Sequence, residues 1–224
     1  MKSETTIIPV AGGKGGVGKT LLTANLAMVL AQLGHPTIVV DLDLGNSNLN
    51  SFLGLPNQFP GVGDFLRIGS ESLQDFLVET KIENLQLIPG DGRMPFMANI
   101  TYYQKQRLIR QLMDLSSRYV LLDLGAGCTF NTLDFFAIAS SGIIGTTPEY
   151  PSIMSMLAFL KNHLLRILER SMSKEPGVFE IIHDIFVQPI TGPQTTIVSL
   201  RDRVEGLSPD VAAKIDAFCR QIRP

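Results

Sequence analysis

Gly13, four intervening residues and then Gly18-Lys19-Thr20 form a spacing that phosphate binding requires. Glycines let a backbone curl until several N–H groups point inward at phosphate oxygens, and a helix that follows adds the field of its N-terminus. On this reading Gly13, Lys14, Gly15, Gly16, Val17 and Gly18 make the cradle, Lys19 pairs with the β- and γ-phosphates, and Thr20 ligates Mg²⁺. Acids follow at the ends of two apolar runs. Asp41-Leu42-Asp43 closes Thr37-Ile38-Val39-Val40, and Asp123 closes Tyr119-Val120-Leu121-Leu122. Beside a phosphate loop, carboxylates of this kind hold the waters of Mg²⁺, and one can orient an attacking water. Asp123-Leu124-Gly125-Ala126-Gly127 has Walker B form, with Gly125 and Gly127 allowing a turn close to a terminal phosphate. The ligand implied is a phosphorylated nucleotide with Mg²⁺.

These residues need a frame that brings strand ends to one edge. Strand-length apolar runs alternate with helix-length stretches, the pattern of a mostly parallel β-sheet with helices on both faces, an α/β P-loop NTPase fold. Strands are expected at residues 6–10, 37–40, 84–88, 119–122 and 142–146, the third closed by Pro89-Gly90-Asp91-Gly92. A helix should follow the glycine-rich loop, since Leu22, Leu26, Val29, Leu30 and Leu33 recur at helical spacing and Gly34 supplies a stop. Further helices are expected at 102–115, with Leu108, Ile109 and Leu112 on one face, and at 152–170, with Leu157, Leu160, Leu164, Leu165 and Leu168 apolar. Pro9 removes a ladder donor from a strand the motif makes central, so it belongs at that strand's C-terminal end or at a bulge. After Ser171 the pattern weakens: Lys174-Glu175-Pro176-Gly177 reads as a turn, 189–193 as a loop, and Ser208-Pro209-Asp210 as the start of a last helix bearing Val211, Ile215 and Phe218. One domain over residues 1–224 is expected.

Composition narrows the classes. With 45% hydrophobic and 18% charged residues, the 224-residue chain can bury a core, which excludes general disorder. A net charge of −2 argues against a generic polyanion binder. Cys128 and Cys219 are too few and too far apart for a disulfide framework or a zinc site, and His35, His163 and His183 show no ligand spacing. Cys128 reads as packing and Met154 and Met156 as core or interface filler. Lys161, Arg166, Arg170 and Lys174 read as a solvated helix face, with nucleic acid or acidic lipid the minority reading. No signal peptide is visible and no apolar run approaches the ~20 residues of a membrane span, so a cytoplasmic location is expected.

Lys14 is not demanded by ordinary phosphate binding. With it, Lys14-Gly15-Gly16-Val17-Gly18-Lys19-Thr20 resembles the deviant Walker A of the MinD/ParA group of ATPases, in the SIMIBI class of P-loop NTPases. The resemblance implies that Lys14 crosses a dimer interface to the partner's nucleotide and acts in catalysis. It implies that Asp43 stands near the attacking water, Asp41 nearer the metal shell, and Asn48 beside that water. It also places Thr147-Pro148-Glu149 near the nucleotide, with Pro148 and Glu149 as contacts. Residues 41–50 fit the MinD and FlhG members slightly better than the plasmid-partition members.

The chain departs from the pattern in three places. Leu21 stands where a second hydroxyl residue is common, leaving its backbone N–H as the phosphate donor. Gly125 stands where many relatives carry proline. Nothing after Pro209 matches the family's last strand or its membrane-targeting helix, and the resemblance covers residues 7–168. The function implied is a slow ATPase that dimerises with ATP and acts as a spatial switch for division-site or flagellar placement. Its implied partners are ATP, a second copy of the chain, a protein activator or effector and, with no targeting helix visible, a membrane surface or cell pole. A ParA-type DNA-partitioning ATPase is the alternative, with nucleic acid as partner. A metal-cluster carrier is the third reading, disfavoured because it needs paired cysteines.

Overall fold

The computed structural model of the chain describes residues 5–68, 72–90 and 100–172, with residues 205, 213 and 216 beyond them. The chain divides into two units, residues 1–159 and 160–224, and the sheet lies in the first. The turn at 174–177, the loop at 189–193, the closing Asp91-Gly92, the start of the last helix, His183 and Cys219 fall outside the described residues.

Among the described residues six strands form one sheet in the order β3-β4-β2-β5-β1-β6. They are β1 (Thr6–Ala11), β2 (Thr37–Leu42), β3 (Val78–Glu79), β4 (Leu85–Ile88), β5 (Tyr119–Leu124) and β6 (Ile143–Ile144). Every pairing is parallel except that of the two-residue edge strand β3 with β4. The α/β fold with a mostly parallel sheet, expected from the alternation of elements, is what forms. Side-chain alternation splits the central strands between two cores. Ile38, Val40 and Leu42 of β2 join Val120, Leu122 and Leu124 of β5 on one face. Val39 and Leu121 lie on the other, with Ala24, Ala27 and Ala31 of the helix α1 (Lys19–Gln32).

The buried side of α1 is a stripe of alanines and Thr23, not of leucines. Leu22, Val29 and Leu33 are 41%, 51% and 68% exposed. Small side chains bring the helix axis close to the sheet, so Leu22, Val29 and Leu33 turn outward while Leu26 and Leu30 pack half-buried at the edge of the same core. The stop at Gly34 forms as expected: it takes φ 83°, and the His35 N–H reaches back to the Leu30 carbonyl.

Pro9 sits inside β1, in regular register with Leu122 and without a bulge, correcting the expected placement. The Thr6 N–H bonds the Arg118 carbonyl on the β5 side. Alternation therefore turns the nitrogen of Pro9 toward β6, whose pairing starts only at Val10. No ladder bond is lost.

Among its described residues the first unit also holds four short helical segments: α2 (Leu49–Phe52), α3 (Val62–Ile68), a 3₁₀ turn (Leu73–Phe76) and α5 (Phe130–Phe136). The longer α4 (Tyr102–Met113) opens on a reciprocal capping box between Thr101 and Gln104 and buries Leu108, Ile109 and Leu112. The helix α6 (Tyr150–Met172) begins earlier than its leucine spacing indicates, and Leu157 and Leu160 on it are exposed while Leu165 and Leu168 are buried. Among the described residues no helix is long and apolar enough to cross a membrane.

Candidate nucleotide site

The loop between β1 and α1 has the backbone that its glycines permit. Gly16 and Gly18 take φ of 79° and 87°, a region where a side chain is strained, and Gly18 is the residue that opens α1. The first helical bond runs from the Leu22 N–H to the Gly18 carbonyl, so the N–H groups of Lys19, Thr20 and Leu21 have no partner within the helix. Leu21 itself points outward, 53% exposed. Gly13 packs on the backbone of α6: a Cβ there would come within 2.0 Å of the Ser155 carbonyl oxygen. Lys14, Gly15, Gly16 and Gly18 are exposed, Gly13, Val17 and Thr20 half-buried, and Lys19 is buried at 7% exposure.

Asp123, the last residue but one of β5, lies on the α1 side of the sheet, beneath the start of that helix. Burial pushes its carboxyl up to about 6, opposed by a hydrogen bond from Thr20, the charge of Lys19 and a bond from Thr23. Thr23 Oγ1 lies 3.3 Å from Asp123 Oδ1 and 2.9 Å from the Lys19 carbonyl. Asp123 Oδ2 is buried without any hydrogen-bond partner. A free buried carboxylate oxygen beside a threonine hydroxyl is a donor set that suits Mg²⁺ and its waters, so these residues fit the metal. No group of three or more His, Cys, Asp or Glu side chains able to hold a metal occurs among the described residues.

Asp41 occupies the matching position on β2 but has no free oxygen. Its Oδ1 accepts from the Asp43 N–H at 3.0 Å, and its Oδ2 accepts from the Ser47 hydroxyl at 2.7 Å and from the Asn48 and Leu49 N–H groups at 3.1 Å. Burial raises its carboxyl to about 7, with the Ser47 and Leu49 bonds opposing. Asp41, expected nearer the metal shell, ties the loop 43–49 through these four bonds. Asp43 stands half-buried on that loop, its side chain against Gly125. Asn48 engages Asp41 through its backbone and is itself exposed.

Lys14 reaches Glu149 at 3.9 Å across the outer lip of the phosphate loop, both side chains largely in solvent. Pro148 is exposed, and the Glu149 carbonyl accepts the first bonds of α6. Gly127 donates its N–H to the Gly12 carbonyl at 3.0 Å, sewing the turn after β5 to the base of the phosphate loop. Two participants escape sequence reasoning, Ser47 and Thr23. Thr23 was within reach, because a hydroxyl three residues after Thr20 shares its helix face. Ser47 carried no signal, since its role exists only once the loop folds back on Asp41. Cys128 packs against the main core.

A mostly parallel sheet with a glycine-rich loop, a buried lysine and carboxylates gathered at the strand ends defines a P-loop NTPase fold. Residues 5–173 match the family model described as an AAA domain, and the chain belongs to this family, as a P-loop ATPase of the MinD/ParA type. The septum site-determining protein MinD of Synechocystis is 36% identical over 148 residues, 66% of this chain and 55% of that protein. MinD of Thermotoga maritima is 34% identical over 148 residues, 66% of this chain and 54% of its own length. The chain thus spans about half the length of these curated relatives. Among solved structures, MinD complexed with Mg-ADP from Pyrococcus horikoshii superposes with a TM-score of 0.59 at 26% identity, covering 75% of this chain and 66% of that one. The MinC:MinD cell division protein complex of Aquifex aeolicus shares the fold, with a TM-score of 0.59 at 24% identity over 88% of this chain and 76% of that one.

Proposed function

We propose that the chain binds Mg-ATP at this loop, hydrolyses it slowly, and uses ATP to favour a face-to-face dimer, acting as a spatial switch of the division-site or flagellar-placement kind. The observation that supports this best is the contrast in burial between two loop lysines. Lys19 is 7% exposed beside Asp123, fit to neutralise phosphates from within. Lys14 is 46% exposed at the lip in a loose 3.9 Å contact with Glu149, placed to meet phosphates outside its own subunit.

Lys19 and the N–H groups from Gly13 to Leu21 bind the phosphates in this account, while Thr20 and Asp123 hold the metal. Mg²⁺, when bound, supplies charge neutralisation across the phosphates. Asp43 accepts a hydrogen bond from the attacking water and orients it, with Asn48 near it on the same loop. Asp41 holds that loop in place through its four bonds. Asp41 is therefore assigned to positioning rather than to the metal. Glu149 and Pro148 sit at the mouth, where they release Lys14 or contact nucleotide.

Calorimetric titration with Mg-ATP, followed by a phosphate-release assay, tests this reading. Binding with slow turnover is expected, and absence of both defeats it. MinD in the Aquifex complex is bound to MinC, and by analogy a protein effector is proposed for this chain. The ParA-type alternative predicts an ATP-dependent, salt-sensitive shift of DNA. The MinD-type reading predicts ATP-dependent pelleting with acidic liposomes.

A further inference from the structure

Gly125 is not explained by its backbone: its φ is not among the positive values, so any residue could adopt it. Its surroundings explain it. A Cβ at this position would lie 3.2 Å from Asp43 Oδ1, 3.5 Å from Asp43 Cγ and 3.8 Å from Asp43 Cα. The contact follows from the sheet. β2 and β5 run parallel with Asp41 opposite Asp123 and Leu42 opposite Leu124, so the next step of each chain sets Asp43 beside Gly125. Side chains in register point to the same face of a sheet.

Asp43 has little freedom to retreat as a whole residue. Its N–H is bonded to Asp41 Oδ1, and its carbonyl accepts the Asn46 N–H at 3.0 Å. Its carboxylate can move, because a cavity of about 200 Å³ opens beside it, lined by Gly45, Thr129, Asn131, Thr132 and Phe135 among others. Gly125 is in turn two residues from Gly127, whose N–H is tied to the phosphate-loop base at Gly12. A line of contact runs from that base through the turn after β5 to the Asp43 carboxylate.

We propose that Gly125 is a positioning residue for Asp43. Its bare Cα is the rest on which the carboxylate lies, so the turn after β5 sets where Asp43 aims, and a movement of that turn moves Asp43 directly. A Cβ at 125 pushes the carboxylate a few tenths of an ångström into the cavity without disturbing the phosphate loop. The catalytic part of this proposal rests on the role given above to Asp43.

The test is a double-mutant cycle of Gly125→Ala and Asp43→Ala, read by two measurements. Thermal melting needs no ATP. Removing Asp43 Oδ1 and Cγ removes both close contacts, so Gly125→Ala should raise the melting temperature by roughly 2 °C or more relative to its effect with Asp43 present. Turnover comes second: Gly125→Ala should lower kcat about tenfold while KM for Mg-ATP stays within about threefold. Additive melting shifts overturn the contact, and an unchanged kcat, or kcat and ATP affinity lost together, overturns the positioning role. If the unsubstituted chain bound and hydrolysed no ATP, the proposed function would fall, while the melting cycle would still decide the contact.

Discussion

Asp41 and Asp123 stand opposite one another in the β2–β5 register as two buried carboxylates, each 1% exposed, with opposite commitments. Asp41 accepts four hydrogen bonds from the loop it holds, whereas Asp123 keeps one oxygen free beside Thr20 and Lys19. One acid organises and the other is left open to a cation.

Both carboxyls are raised by burial, Asp41 to about 7 and Asp123 to about 6 from the usual 3.8. For such groups the folded state binds protons more tightly than the unfolded state. Their contribution to stability is full below about pH 4 and is lost as pH rises through about 6 to 7. Melting without nucleotide should therefore shift downward across that window, and Asp123→Asn should flatten the slope. A melting temperature that climbs through the window in the unsubstituted protein contradicts the assignment.

In the proposed site, Lys19→Ala removes a charged donor from the phosphates. Such bonds are worth about 1.5–3 kcal/mol each, so ATP binding should weaken tenfold or more in a calorimetric titration. Near-unchanged affinity would remove Lys19 from the site.

Asp41→Ala should loosen the loop 43–49 by leaving the Ser47 hydroxyl and three backbone N–H groups without their acceptor. Amide hydrogen exchange across 43–49 should rise, and turnover should fall about tenfold through lost alignment of Asp43. Exchange confined to its former rate would show that the carboxylate holds nothing.

The sequence made the phosphate loop and Asp123 legible because their chemistry depends on residue type at fixed spacing. It also indicated Gly34 and the face of α4 bearing Leu108, Ile109 and Leu112, where periodicity and burial coincide. On α1 they do not coincide, because close approach to the sheet selects Ala24, Ala27 and Ala31 over the leucines. The interior place of Pro9 depends on which neighbouring strand is short, a property of pairing rather than of the segment. The short helices α2, α3 and α5 offer too few turns for a pattern, and Asp41's role depends on main-chain donors that no residue type announces.

A buried ion pair joins Lys105 of α4 to Asp134 of α5 at 2.5 Å, with side-chain exposures of 8% and 2%. Asp134→Ala should cost about 3–5 kcal/mol in denaturant unfolding, because it leaves the ammonium buried without this partner. The pair Lys105→Met with Asp134→Leu should recover most of that loss. A single substitution without effect would show that the charge escapes to solvent.

The dimer switch is tested most directly by mass from light scattering, with and without Mg-ATP, for the unsubstituted chain, Lys14→Ala and Asp43→Ala. Because ATP binds the dimer better than the monomer in this account, the dimer must tighten ATP by the same factor. Lys14→Ala should bind ATP through Lys19 yet stay monomeric, while Asp43→Ala should accumulate as an ATP-loaded dimer whose turnover is at least about tenfold slower. A monomer under every condition for both the unsubstituted chain and Asp43→Ala would contradict the switch and leave a nucleotide-binding domain alone.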